Sequence, residues 1–113
     1  MKIAIKRAYD EPSQSDGYRV LVDRLWPRGV KKETLRLDEW CKDVAPSTEL
    51  RKWFGHDPAR FDEFRQSYAS ELAASSAPQE LLKRAGSHDT LTLIYAAKDP
   101  AVNHAPVLRD YLD

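Results

Sequence analysis

The stretch that decides the fold is Thr90-Leu91-Thr92-Leu93-Ile94-Tyr95-Ala96-Ala97. It is rich in β-branched and aromatic residues and predicts a strand buried on both faces. Residues 18–25 are the next strand candidate, because Val20, Leu21 and Val22 are again apolar on both faces. Such strands belong to parallel sheets covered by helices, so the two runs indicate an α/β fold.

Working outward, residues 3–7 predict a first strand, and residues 31–44 are typical of either a short strand or a turn of helix. Start and stop signals predict the helices of the second half. These signals are Ser47 as an N-cap with Gly55 as a stop, Asp57-Pro58 before the apolar stripe Phe61, Phe64, Tyr68 and Leu72, a capping box of Ser76 with Gln79 before Gly86, and Asn103 before a final helix. No domain boundary interrupts residues 1–113. We therefore expect a single compact three-layer domain with a small, largely parallel sheet covered by helices.

The overall charge argues against general nucleic-acid binding. Lys plus Arg and Asp plus Glu number 18 each, so the formal net charge is zero, whereas a duplex-binding protein usually carries a basic excess. The single cysteine, Cys41, excludes an internal disulfide and fits a reducing compartment. Neither a signal-peptide core nor an apolar run of membrane-spanning length is present, so we expect a cytoplasmic protein without a membrane contact.

Polar residues follow both buried strands, which predicts a site at the carboxyl edge of the sheet. Arg24 and Arg28 follow one strand and Lys98 follows the other, and arginine side chains suit phosphate or carboxylate. If the two strands are neighbours, these cations form an anion pocket together with the start of the last helix. The residues predicted to bind a substrate there are Arg24, Arg28, Tyr95, Lys98 and Asn103, and those predicted to act as acid or base are Asp23 and His104.

A structural interpretation stands beside each of these assignments. Arg24 could pair with Asp23 or Asp99, Arg28 could be a surface residue, and His104 could make only a local hydrogen bond. Each of the three tryptophans also allows a functional and a structural interpretation, because an aromatic ring can stack on a ligand or fill a small core. We favour the core for Trp26 and Trp53, and Trp40 is uninformative.

Metal and cofactor chemistry are poorly supported by the sequence. The three histidines are far apart, and no spacing typical of a zinc site occurs, so we predict no metal site. His56 and His88 flank predicted helix ends and are expected at the surface. Cys41 lacks an activating neighbour in sequence and is expected to be structural. No glycine-rich phosphate loop or dinucleotide fingerprint is present, so we predict no cofactor.

The segment Asp16-Gly17-Tyr18-Arg19-Val20-Leu21-Val22-Asp23-Arg24-Leu25-Trp26-Pro27-Arg28-Gly29 resembles the signature of the YeaO-like proteins, a bacterial family catalogued as a domain of unknown function. Similarity continues through Leu93-Ile94-Tyr95-Ala96-Ala97-Lys98-Asp99 and Asn103-His104-Ala105 and covers nearly the whole chain. The resemblance implies a small cytoplasmic bacterial protein of the same fold and no particular activity. Longer relatives tend to carry Cys-Ala-Glu and Cys-His-Arg where this chain has residues 95–97 and 103–105. A cysteine-based reaction therefore does not transfer.

Three functions remain open from the sequence. The first is an enzyme acting on a small anionic or phosphorylated substrate, with the residues named above. The second is a non-catalytic regulatory or binding module for a protein partner or a metabolite, which exposed tryptophans would favour. The third and weakest is nucleic-acid binding through the arginines near Trp26. The oligomeric state is left open.

Overall fold

Four strands form a single sheet in the computed structural model, which describes residues 1–113. They are β1 (Lys2–Arg7), β2 (Tyr18–Leu21), β3 (Glu39–Trp40) and β4 (Thr90–Tyr95). Their spatial order is β1-β4-β2-β3, and every neighbouring pair is parallel. The prediction of a largely parallel sheet in an α/β domain is confirmed. The stretch that opened the sequence analysis supplies β4, which lies between β1 and β2.

β2 is shorter than predicted, since it ends at Leu21 and not at Leu25. Val22 still donates its N–H to the Ile94 carbonyl at 3.0 Å. One residue later, the side chain of Asp23 accepts the N–H of Ala96 at 3.0 Å. A carboxylate thus takes the place of a strand carbonyl, and the chain is free to turn away from the sheet.

The ambiguous segment 31–44 contains both of the alternatives that its pattern allows. A single turn of helix, α1, runs from Lys32 to Leu35, and β3 follows it at residues 39–40. Leu35 faces the core from the helix and is buried. The sequence favours neither a helix nor a strand throughout this segment, because each element is too short to show its own hydrophobic periodicity.

The remaining helices are α2 (Thr48–Phe54), α3 (Phe61–Ala73), α4 (Ala77–Ala85) and α5 (His104–Leu112). Three predicted boundaries are confirmed: Ser47 Oγ accepts the N–H of Leu50, Gly55 ends α2 in the left-handed region at φ 53°, and Asn103 Oδ1 accepts the N–H of Ala105. Asp57 accepts the N–H of Ala59 but caps a 3-10 turn over Pro58–Arg60, and α3 follows that turn. None of the helices combines the length and the apolar character that a membrane span needs.

The capping box predicted at the start of α4 is wrong. Ser76 is the N-cap residue but has a helical backbone (φ −85°, ψ −8°) and no capping hydrogen bond. Its hydroxyl instead donates to Glu80 at 2.9 Å, and Ser75 accepts the N–H of Ala77. A cap needs an extended residue at that position, and the chain reaches α4 through a tight turn after α3.

The two faces of the sheet are covered unequally. One face packs against α2, α3, α4 and α5 in a cluster of 14 buried residues, to which β2 and β4 contribute Val20 and Leu93. The other face has a cluster of only four, Ala8, Leu21, Leu35 and Ile94, covered by α1 and nearby loops. The domain therefore has three layers, the third of them thin.

Candidate functional site

A cleft of about 570 Å³ opens at the carboxyl edge of the sheet. β2 and β4 are parallel neighbours, so the polar segments that follow them begin side by side. Residues 23–28 and 96–99 both line the cleft, and so does the start of α5. The juxtaposition on which the predicted site depends is therefore present. The other lining residues are Tyr9, Ala45, Pro46, Arg51, Phe54, His56, Phe64 and Val102.

Asp23 holds the two strand ends together. One carboxylate oxygen, Oδ2, accepts the N–H of Ala96, and the backbone carbonyl of Asp23 accepts the indole N–H of Trp40 at 2.7 Å. Both bonds fix the loop that begins at this residue. The other oxygen, Oδ1, is buried and accepts no hydrogen bond.

His104 lies beside this carboxylate in the first turn of α5. Its Nε2 is 3.0 Å from the Val22 carbonyl and 3.2 Å from Asp23 Oδ1. A carbonyl only accepts, so Nε2 carries a proton and donates it to Val22. Because this proton is donated to the Val22 carbonyl, Asp23 Oδ1 lies close to the imidazole but accepts no hydrogen bond from it.

Four basic side chains line the cleft: Arg24, Arg28, Arg51 and Lys98. None of them has a carboxylate within 4.0 Å. The alternative that Arg24 pairs with an aspartate is wrong, because Arg24 donates from Nε and Nη2 to the Pro46 carbonyl at 3.3 and 3.2 Å. Its Nη1 makes no hydrogen bond to the protein. The cleft therefore combines several cations that lack a counter-charge.

Two of the predicted substrate ligands have other roles in the structure. Tyr95 is 2% exposed and does not line the cleft, because it ends β4 with its ring inside the domain; burial raises the pKa of its hydroxyl. Asn103 borders the cleft but is 1% exposed, and both ends of its amide are engaged. Oδ1 caps Ala105, and Nδ2 donates to the Asp99 carbonyl at 2.7 Å. Asn103 shapes the loop, and its burial keeps its amide largely away from a ligand in the cleft.

The start of α5 also offers fewer donors than predicted. Asn103 takes the N–H of Ala105, and Pro106 has none. An anion in this cleft would therefore rely on side chains more than on the helix end.

Three lining residues, Tyr9, Arg51 and His56, were missed by the sequence reasoning. Tyr9 follows β1, which ends at the same edge of the sheet. Ligands bind beyond the carboxyl ends of parallel strands, and this rule predicts Tyr9 after β1 just as it predicts the residues after β2 and β4. Arg51 belongs to α2 and His56 follows it, and no sequence signal brings them to this edge. His56 is nevertheless exposed, as predicted, and so is His88.

Trp26 packs against Trp40, whereas Trp53 is exposed away from the cleft. Trp26 is half-buried, lines the cleft, and donates its indole N–H to the Val30 carbonyl at 2.7 Å. Its ring meets Trp40 edge-on with centroids 5.4 Å apart. Trp53 is 36% exposed and lies outside the cleft, so it does not fill the core as we favoured. An Arg60 guanidinium covers its ring at 5.2 Å.

The chain contains no group of three or more His, Cys, Asp or Glu side chains placed to hold a metal ion. Cys41 is buried, as expected of a structural cysteine, and burial raises the pKa of its thiol. A raised pKa keeps the thiol protonated and unreactive.

The fold and the cleft together define a small α/β domain with a cationic site at the carboxyl ends of its strands. The chain belongs to the DUF488-N3i family, described as the inactive DUF488-N3 subclade, whose family model matches residues 2–113. It is 51% identical to "Uncharacterized protein YeaO" of Escherichia coli strain K12, over 99% of this chain and 97% of that protein. It is 46% identical to "Uncharacterized protein Rv3073c" of Mycobacterium tuberculosis strain H37Rv, over 99% of this chain and 94% of that protein. These matches confirm the YeaO-like resemblance. No solved structure matches the chain.

Proposed function

We propose that the protein binds a small anionic or phosphorylated ligand in the cleft, through Arg24, Arg28, Arg51 and Lys98. The observation that carries the proposal is the clustering of these four cations without a carboxylate partner in a chain whose overall net charge is zero. Like charges held close together repel, so the cluster lowers the stability of the empty protein. A bound anion would remove that repulsion.

The two acidic side chains of the cleft offset only part of this charge and form no ion pair with Arg24, Arg28, Arg51 or Lys98. Asp23 accepts the N–H of Ala96, and Asp99 Oδ1 accepts the N–H groups of Ala101 and Val102 at 2.9 and 3.2 Å. Both carboxylates are therefore bound to backbone near the strand ends. The basic side chains remain available to a ligand.

Binding is favoured over turnover by what the cleft lacks. No serine, threonine or cysteine lines it, so it offers none of the usual hydroxyl or thiol nucleophiles apart from the phenol of Tyr9. The two positions that tend to hold cysteine in longer relatives are Tyr95, whose ring lies outside the cleft, and Asn103, whose amide is no nucleophile. The description of the family as an inactive subclade agrees with a binding role.

Calorimetric titration and thermal unfolding with inorganic phosphate, sulfate and simple phosphate esters test the proposal. A ligand at a hundred times its Kd adds about 2.7 kcal/mol to the free energy of unfolding. Arg28→Gln should weaken binding about tenfold, equal to about 1.4 kcal/mol. Arg65→Gln, on the exposed side of α3, is the matched control and should bind as the parent does. If no anion on the panel binds, or if both variants bind equally well, the proposal fails.

A second candidate is general acid–base catalysis by Asp23 and His104. The approach of Nε2 to a buried oxygen without a hydrogen bond, at 3.2 Å, favours it. Such a pair could move a proton at a bound ester. Turnover of a bound phosphate ester that is lost in His104→Gln, with Kd unchanged, would support catalysis; binding without turnover would rule it out for that ester.

A further inference from the structure

We infer that the ligand of the cleft is a phosphate monoester carried on a flat apolar body, such as an aryl phosphate. This inference rests on the proposed anion site and adds the chemistry of the rest of the ligand. It starts from Leu25, which is 60% exposed and is the most exposed large hydrophobic side chain of the chain. Leu25 lines the cleft next to Arg24. One exposed apolar side chain is ordinary in itself, but Leu25 lines the same cleft as the rings of Tyr9 and Trp26, and together they offer apolar surface beside the cations to a ligand with both characters.

The rings of Trp26 and Tyr9 line the cleft, and both already donate their polar hydrogens within the protein. Trp26 donates its indole N–H to the Val30 carbonyl, and Tyr9 donates its hydroxyl to the Arg28 carbonyl at 2.9 Å. Each polar group is thus engaged within the protein. What remains for a ligand is apolar ring surface, which favours a flat apolar partner.

Tyr9 is also held in place before any ligand arrives. Arg7 donates from Nε to the Ala97 carbonyl at 2.9 Å, and its guanidinium lies 4.9 Å from the centre of the Tyr9 ring. The ring is therefore fixed at both its face and its hydroxyl, while 49% of the residue stays exposed. A fixed, exposed ring loses little freedom when a ligand packs against it.

Behind the exposed rings, two almost fully buried core phenylalanines, Phe54 and Phe64, border the cleft beside the imidazole of His56. Phe54 stacks on Phe64 with centroids 4.2 Å apart, and His56 lies 5.8 Å from Phe54. All three residues line the cleft. Its volume of about 570 Å³ falls within the range of small-molecule sites, and a bare oxyanion would leave most of it to water.

The number of basic side chains in the cleft favours a phosphate group on the ligand. A phosphate monoester carries close to two negative charges near neutral pH, more than a single carboxylate supplies. Four unpaired basic side chains suit that charge, and the free Nη1 of Arg24 adds a directed donor.

Calorimetry with inorganic phosphate, methyl phosphate, phenyl phosphate and phenol tests the inference. Phenyl phosphate should bind about tenfold more tightly than methyl phosphate, because its ring leaves water for the apolar lining. Phenol, which has the ring without the charge, should bind more weakly than phenyl phosphate. Equal affinities for the two esters would overturn the inference and leave the anion site intact. Absence of binding by every phosphate would instead overturn the proposed function.

Two substitutions test whether the apolar part of the ligand contacts Leu25. Leu25→Ser should lower the affinity for phenyl phosphate by about threefold or more, and should lower that for inorganic phosphate by less. Trp53→Ser, which removes an exposed ring outside the cleft, should leave the ratio of the two affinities unchanged. If Leu25→Ser also leaves that ratio unchanged, the apolar body does not contact this rim and the inference is wrong.

Discussion

Two regions of the molecule hold basic side chains in opposite ways. On the thinly covered face of the sheet, Arg19 is 4% exposed and donates to Asp16 at 2.6 Å and to the Leu35 carbonyl at 2.7 Å. Lys6 reaches the same aspartate at 3.0 Å. At the carboxyl edge, the side chain of Arg28 is exposed and makes no hydrogen bond to the protein. The first region pairs its cations with a buried carboxylate to complete the fold, and the second leaves its cations without a counter-charge.

The difference shows which charged residues belong to structure and which to function. A buried cation is tolerated only when its donors are satisfied, and every polar contact of Arg19 is with a partner in its own domain. The cations of the cleft have no carboxylate partner, and only Arg24 donates to the protein, to the Pro46 carbonyl, so the fold depends on them much less. Substitutions in the two regions should therefore separate loss of stability from loss of binding.

The largest expected effect comes from Asp16→Ala. It removes the counter-charge of a buried arginine, so we expect the free energy of unfolding to fall by about 3–5 kcal/mol. Arg28→Gln should change it by less than about 0.5 kcal/mol, as is usual for exposed sites. Urea denaturation followed by circular dichroism measures both. Equal losses in the two variants would contradict the division between the regions.

The pH dependence of stability sharpens the same comparison. Burial alone would raise the pKa of Asp16, but hydrogen bonds from the Ser13 N–H, Lys6 and Arg19 outweigh it and lower the pKa below 3.8. Because the folded pKa is the lower one, this carboxylate stabilises the protein fully above the unfolded value and loses that effect as the pH falls through the folded value. We therefore expect unfolding free energy to fall below a pH of about 4.

Urea denaturation at a series of pH values from 7 down to 3 tests this expectation. Asp16→Asn should flatten part of the acid limb, because the titrating group is gone. Asp10→Asn, an exposed aspartate whose side chain makes no hydrogen bond, is the matched control and should keep the parent slope. An unchanged slope in Asp16→Asn would show that another carboxylate, such as Glu39 beside Arg84, controls the acid limb.

The fold was predictable from the sequence where local chemistry decides structure. β4 is rich in β-branched and aromatic residues and is buried on both faces, and Ser47, Gly55 and Asn103 act within one turn of their own positions. The end of β2 was not predictable, since it depends on a hydrogen bond between Asp23 and Ala96, 73 residues away. Local signals carry no information about such a bond.

The candidate site divides in the same way. Arg24, Arg28 and Lys98 follow strands, so topology alone brings them to one edge. Arg51 reaches that edge through the packing of α2, which no pattern in the sequence encodes. Tyr95 lies outside the cleft because the last residue of a strand can face either the edge or the interior, and here it is buried.

The smallest expected effect comes from Glu71, which connects hydrogen bonds inside the fold to an arginine of the cleft. Glu71 on α3 accepts the N–H of Ser47 at 2.8 Å and its hydroxyl at 2.6 Å. The preceding residue, Pro46, supplies the carbonyl that Arg24 binds. Glu71 is therefore a positioning residue for Arg24. We expect Glu71→Gln to lower the free energy of unfolding by about 1 kcal/mol, as for one weakened hydrogen bond.

The same variant should weaken phosphate binding by about two- to threefold, since Arg24 loses a fixed anchor and gains freedom that binding must remove. Glu63→Gln, on the exposed side of α3, is the control for stability and affinity. A merely structural role would lower stability and leave Kd unchanged. The double variant with Arg24→Gln separates the two, because positioning acts only through Arg24: adding Glu71→Gln to Arg24→Gln should then cost no further affinity. A further loss in the double variant would mean that Glu71 affects the cleft by another route.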